Sequence, residues 1–299
     1  MQVMDKEVIE QIVREVLSQL GQSETGSVFQ PEIDLIVPQG SDKLAEDQLI
    51  DITDTTQKQK INIENPQDFE ALTRMKEKTS ARIGVGRSGP RLKTRTMLTL
   101  RVDHAVARDA VFMDVDKELL DRMGLFSIQT RCSDKNEHLT RPDLGEQFSQ
   151  QALDKILTNC KKNPTVQIYI SDGLSSKAIE ANVENILPAI TEGLEGYNVN
   201  VGTPFFVKYG RVHAMDVISE TLGSEITCVL IGERPGLATA ESMSAYIAYK
   251  SKVGMPEARR TVVSNIHSGG ISAVEAGAYI ADIIKKMLEL KISGVDLKL

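Results

Sequence analysis

Hydrophobic residues near the start of the chain recur at helical spacing. Val8, Ile9, Ile12, Val13, Val16, Leu17 and Leu20 form one stripe, and Glu7, Glu10, Gln11, Arg14, Glu15 and Gln19 occupy the other face. The spacing predicts an amphipathic helix over 4–20, with Asp5 as N-cap and Gly21 as the stop. Residues 22–65 are rich in Ser, Gln, Asp, Thr and Asn, with only scattered apolar positions, and read as a polar linker. A short isolated helix is marginal in water, so one on such a tether either packs on its own domain or needs a partner surface.

From Pro66 the pattern is that of a packed domain. Helices are expected over 66–79, 93–113 and about 147–160, which makes 66–150 a mostly helical unit. The second half alternates. Strands are expected at 166–170, 199–201, 205–208, 226–231 and 261–264, with helices at 175–187, 212–222, 240–249 and 273–290. Alternation of this kind implies a parallel sheet with helices on both faces. The expected fold is therefore α/β: a mostly helical N-terminal unit followed by a Rossmann-like parallel sheet over 151–299. Ligands of open α/β sheets bind at the C-terminal edge of the strands.

Composition changes this picture by exclusion. The 299 residues carry a net charge of −7, which argues against a nucleic-acid binder. No apolar run approaches the roughly 20 residues of a membrane span, and no secretory signal pattern is seen at the N-terminus. Three scattered cysteines, Cys132, Cys160 and Cys228, do not suggest a disulfide framework. A cytoplasmic protein is expected.

Gly84, Gly86 and Gly89 spell G-x-G-x-x-G, but the residues before Gly84 are charged and polar rather than strand-like, and Pro90 follows directly. Between Arg82 and Arg101 lie six basic residues and no acid, either a contact for phosphate or an acidic partner, or a solvated face. Four strand-end loops carry more information: Ser171–Ser175, Tyr209–Val212, Gly232–Gly236 and Ser264–Gly270. Glycines there would let a ligand approach the backbone, and helix starts would supply N–H donors. Asn265-Ile266-His267 resembles the D-x-H-x-x-G motif that supplies a cobalt-ligating histidine, yet Asn265 replaces the orienting Asp, and His267 is rejected as a ligand. Glu137-His138 reads as an ordinary polar loop. No residue is singled out as catalytic or metal-binding.

In series, IGVGRSGPR (83–91), SDKNEHLTRPDLG (133–145), ISDGLS (170–175), GTPFFVKYGRV (202–212), GERPG (232–236) and SNIHSGG (264–270) resemble the small (light) subunit family of ethanolamine ammonia-lyases, in order over about 66–299. The resemblance implies an adenosylcobalamin-dependent lyase that converts ethanolamine to acetaldehyde and ammonia by radical chemistry. It implies a large subunit that holds the substrate, with cobalamin enclosed between the two chains. It places cobalamin contacts on Val212 in YGRV, Glu233 in GERPG and Val262 before SNIH, the last where relatives are expected to have Cys. Enzymes of this family are cargo of bacterial microcompartments, so residues 1–21 also resemble an encapsulation peptide in pattern, with shell or cargo proteins as partners. Two other classes compete: a nicotinamide-binding oxidoreductase, suggested by G-x-G-x-x-G, and a non-catalytic compartment adaptor, suggested by the N-terminal helix.

Overall fold

The computed structural model describes residues 54–298. The helix expected over 4–20 and the linker as far as residue 53 lie outside the described residues. The end of the expected linker is not free. It forms α1 (Thr55–Gln59), capped by Asp54, and is tied to the domain by Lys58 to Asp103 at 2.6 Å and by Glu64 to Lys93 at 2.7 Å.

The first part contains α2 (Phe69–Glu77), a hairpin of β1 (Arg87–Ser88) and β2 (Arg91–Leu92), α3 (Thr94–Phe112) and α4 (Lys117–Arg122). Asp68 caps α2 by accepting from Ala71 N. The apolar set of α3 does not make one buried stripe: only Thr96, Asp103 and Ala110 are buried, while Met97, Leu98, Val106 and Phe112 stay exposed.

Then follow β3 (Ser127–Gln129), α5 (Lys135–Thr140), a 3₁₀ turn (Pro142–Glu146), α6 (Gln150–Asn159), β4 (Val166–Ser171), α7 (Ser176–Gly196), β5 (Phe206–Lys208), α8 (Ala214–Leu222), β6 (Ile226–Gly232), β7 (Met243–Tyr249), β8 (Thr261–Ile266) and α9 (Ala273–Leu290). Among the described residues the main sheet runs β3-β5-β4-β6-β7-β8. The first four strands are parallel, and β7 is antiparallel to both neighbours.

Three expectations are corrected here. The sheet is mixed, not all parallel. The segment 240–249, expected as a helix, instead contains strand β7 over Met243–Tyr249. Met243, Ala245 and Ile247 turn to one sheet face and Tyr246 and Ala248 to the other, so a period of two buries the segment between β6 and β8. The expected strand at 199–201 is only a bridge from Val201 to Val166. In addition, β3 comes from the stretch before residue 150 and joins the same sheet, so the sheet crosses the expected division at 150/151.

The strands alternate between two cores. On one face Ile168, Cys228, Leu230 and Ile247 pack against α7 and α9. On the other Tyr169, Phe205, Val207, Val229 and Ile231 pack against α6 and α8. Helices thus cover both faces. Over β7 and β8 the second face stays partly open: Tyr246 is half-buried, and Val262 and Ser264 are exposed.

Candidate functional site

Because β8 runs in the same direction as β6, the ends of β4, β5, β6 and β8 share one edge. The Gly232–Gly236 loop at that edge leads into strand β7, not into a helix as expected. A cleft of about 340 Å³ opens there, lined by Leu174, Arg211, Val212, Glu233, Arg234 and Tyr246 among others. Three of the four strand-end loops therefore meet in it. Val212 and Glu233 are brought together directly. Val262 does not line the cleft but stands opposite Tyr246 across β7 and β8, and directly opposed residues share a sheet face. Val262 is 44% exposed. Val212, Tyr246 and Val262 thus make an apolar shelf continuing from the cleft along the open face.

Glu233 sits at the end of β6. Its N–H donates to Ser242 O at 3.0 Å, and its carboxylate accepts from the hydroxyls of Ser242 (3.4 Å) and the fully buried Ser244. Two neutral hydroxyls orient the carboxylate and leave lone pairs for a further donor. Burial pushes the nearby Tyr246 phenol above its ordinary value, and the charges of Glu233 and Glu257 add to the rise.

Behind the cleft lies a buried polar node that holds its loops. Asp172, at the end of β4, accepts Tyr209 N–H at 2.7 Å and the Lys135 ammonium at 3.2 Å. Burial raises the Asp172 carboxyl, opposed by the Lys135 charge and the hydrogen bonds. Tyr209 adopts φ +61°, and its carbonyl accepts from the Thr130 hydroxyl at 3.0 Å. The His138 ring stacks on Tyr209 with centroids 5.8 Å apart, and its Nε2 lies 2.9 Å from Gly173 O. A carbonyl can only accept, so Nε2 carries the proton. The His138 carbonyl in turn accepts from the Arg211 guanidinium at 2.5 Å.

His138 and Lys135 are buried supports of these loops that sequence reasoning missed. Glu137-His138 belongs to helix α5, started by Asp134 accepting from Glu137 N–H, and His138 is fully buried. The available signal was Asp134 and Glu137 at N-cap and N3 spacing. Burial, then the charges of Arg211 and Lys135, depress the imidazole to about 4.

The glycines of these loops serve packing more than ligand approach, which corrects the earlier expectation. A Cβ on Gly173 would meet Gly232 O at 2.4 Å, one on Gly210 would meet Ser171 Oγ at 2.4 Å, and one on Gly232 would meet Ser175 O at 2.1 Å. They let three loops close on one another.

The remaining motifs resolve as follows. Gly84, Gly86 and Gly89 all have positive φ; the first two lead into the β1–β2 hairpin and Gly89 lies in its turn, and α2 and an irregular stretch, not a strand, precede Gly84. This does not supply the strand–turn–helix setting of a dinucleotide site. Arg82, from the basic run, pairs with Asp103 at 2.6 Å. His267 is held in its own turn: Gly269 N–H donates to Nδ1 at 3.1 Å, leaving Nε2–H to donate to Asn265 Oδ1 at 2.9 Å. All three cysteines are free and buried, and burial raises each thiol, Cys160 to about 11 and Cys228 to about 12. Among the described residues no helix is long and apolar enough to cross a membrane.

The family described as ethanolamine ammonia-lyase light chain matches residues 69–298. The chain is 59% identical over 292 residues to the ethanolamine ammonia-lyase small subunit of Clostridium tetani, covering 97% of this chain and 98% of that one. It is 52% identical to the small subunit of Clostridium perfringens, over 98% of both chains. It is 47% identical to that of Listeria monocytogenes, over 99% of this chain and 100% of that one. Similarity of this extent, spanning the cleft, the shelf and the buried node, shows that the chain belongs to the ethanolamine ammonia-lyase light-chain family.

Proposed function

We propose that the chain is the small subunit of an adenosylcobalamin-dependent ethanolamine ammonia-lyase, and that with a large subunit it converts ethanolamine to acetaldehyde and ammonia. The observation that carries the cofactor reading is the cleft and its continuation. An apolar shelf of Val212, Tyr246 and Val262 suits the flat face of a corrin ring, and an oriented carboxylate on Glu233 suits the amide N–H groups at the rim of that ring. The donor set fits the group: no side chain here offers a free imidazole to cobalt, and the contacts are packing and hydrogen bonds. When bound, adenosylcobalamin supplies the radical chemistry, and the protein supplies binding, orientation and exclusion of water.

In this reading Val212 and Val262 pack against the ring, Glu233 accepts one hydrogen bond, and the node of Asp172, Lys135 and His138 keeps the loops in place. Val262 makes van der Waals contact, which does not require a thiol at that position. The substrate is held by the large subunit, which closes the shelf from the other side. The exposed apolar residues of α3 support a chain made to pack against another.

The test is cobalamin binding by the two-chain complex, followed by absorption after dialysis. Glu233→Ala should weaken it by about 1–3 kcal/mol, the cost of an unmade hydrogen bond, while the complex still assembles. Unchanged affinity counts against the assignment. Ammonia release by this chain alone with adenosylcobalamin would overturn the placement of the substrate site on the partner.

Residues 1–20 are proposed to direct the enzyme into a bacterial microcompartment through their apolar stripe, with a shell protein or another cargo helix as partner. A fluorescent protein fused to residues 1–20 should form foci in cells that build the compartment, and charge at Ile12 and Val16 should disperse them. Diffuse fluorescence from the unaltered fusion would leave a helix that packs on its own enzyme.

A further inference from the structure

A second cavity, of about 210 Å³, lies away from the proposed cofactor shelf. It is walled by α1, the turn after α2, the middle of α3 and Leu237–Ala238 of the β6–β7 loop. None of Val212, Glu233 and Val262 lines it.

Its charge is unbalanced. Among the described residues Lys58, Lys60, Lys76 and Arg82 line it, against the single acid Asp103. Asp103 is shared, since its two oxygens accept from Lys58 and Arg82, each at 2.6 Å. Among the described residues Lys60 meets only the neutral Gln57 Oε1, at 2.9 Å. Lys76 is the telling member. It is 5% exposed, and among the described residues its ammonium donates to a single acceptor, Ile83 O at 2.8 Å. An ammonium has three donors, and among the described residues no carboxylate lies within ion-pair distance of this one. Burial lowers its pKa, as expected for a cation without a counter-charge. Buried charges are normally paired. The exposed Ser80 hydroxyl stands at the rim.

We propose that this cavity is a binding site for a small oxyanion, a phosphate or carboxylate group, which completes the charge balance of Lys76 and accepts from Lys76, Arg82 and Ser80. The site is separate from the cofactor reading and stands or falls without it. Its wall at Leu237–Ala238 belongs to the loop that begins with Glu233, and Arg82 donates to Leu237 O at 3.3 Å, so an anion bound here would also brace that loop.

The experiment is calorimetric titration of the full chain with inorganic phosphate and, in a second arm, with acetate, in a buffer free of other oxyanions. The expected result is saturable binding of one of the two. Whichever binds more tightly identifies the class. Lys76→Met should weaken that binding at least tenfold, and Ser80→Ala, a rim substitution that leaves the buried lysine in place, should weaken it severalfold. Lys76→Met should also be as stable as the unaltered chain without anion, because an uncompensated charge has been removed. Phosphate stabilises proteins generally by exclusion from their surface, so a rise in melting temperature shared equally by both variants does not count as binding. Absence of saturable heat with either anion, or equal binding by Lys76→Met and Ser80→Ala, overturns the proposal. So does a loss of stability in Lys76→Met with no anion response in the unaltered chain, which would leave Lys76 as a plain cap on the Ile83 carbonyl.

Discussion

His138 makes stability depend on pH in a way that can be worked out in advance. The imidazole is fully buried, and its folded pKa of about 4 lies below the ordinary 6.5. The causes are physical and nearby: burial first, then the positive charges of Arg211 and Lys135, partly offset by hydrogen bonding to the Gly173 carbonyl. Between these two values the unfolded chain binds a proton that the native chain refuses. Stability therefore rises with pH through this window. The contribution is fully present above about pH 7 and is lost as pH falls from 6.5 toward 4. At 1.36 kcal/mol for each unit, the whole effect is about 3 kcal/mol.

The perturbation is His138→Gln. Glutamine keeps an N–H that can reach Gly173 O but does not titrate. Urea unfolding of the full chain at a series of pH values from 4 to 7.5 gives the assay, and the quantity of interest is the difference between the two proteins. Other groups titrate in both and cancel in that difference. The unaltered chain should lose up to about 3 kcal/mol relative to the variant as pH falls across the window. The ring protons of His138 should show no titration in NMR spectra between pH 5 and 8. Parallel stability curves, or a ring that titrates near 6.5, would refute the reasoning, because either would mean that the imidazole is solvated or paired when charged.

Three further outcomes follow from the packing. Asp216→Ala should cost about 3–5 kcal/mol in thermal unfolding, since it removes the buried carboxylate that the Arg260 guanidinium meets at 2.8 and 2.9 Å and leaves it only the exposed Glu257 at 3.1 Å. Gly232→Ala should give little or no folded protein, whereas Gly236→Ala, with its nearest neighbour at 3.7 Å, should express and melt like the unaltered chain. None of Cys132, Cys160 and Cys228 should react with a thiol reagent until the chain is unfolded, because all three are buried and protonated; rapid labelling of the native chain would contradict this.

Much of the fold was legible because its signals are local. Val166–Ser171 and Ile226–Gly232 are short apolar runs buried on both faces, which is how central parallel strands read. Helix α9 was legible over its full length, since its apolar period is regular and Ser272 with Glu275 marks its start. Helix α7 was read too short. Pro188 looks like a stop, yet the helix continues to Gly196 because Ile190 and Leu194 are buried in the same core as Ile179 and Ile186. Residues 240–249 were misread for a related reason. Met, Ala and Ser suit a helix as well as a strand, and only the neighbours on either side, β6 and β8, select the period of two.

The site was legible in its parts but not in its arrangement. Val212 and Glu233 sit on loops that the strand pattern places at one edge, so their convergence follows from topology. Val262 is different. It reaches the same shelf only because β7 is a strand and sets Val262 opposite Tyr246, a pairing that a helix at 240–249 would have forbidden. The support beneath the cleft was hidden for another reason. His138 lies 35 residues from Gly173, and Lys135 lies 37 from Asp172. No periodicity connects residues so far apart, and a polar stretch carries no mark of being buried. What buries it is the closing of three glycine-bearing loops against it. Those glycines read as a surface made for a ligand, and they are instead the condition for the loops to touch. The ligand-facing surface is then supplied by side chains, the valines, the tyrosine and the oriented carboxylate, standing on a backbone held from behind.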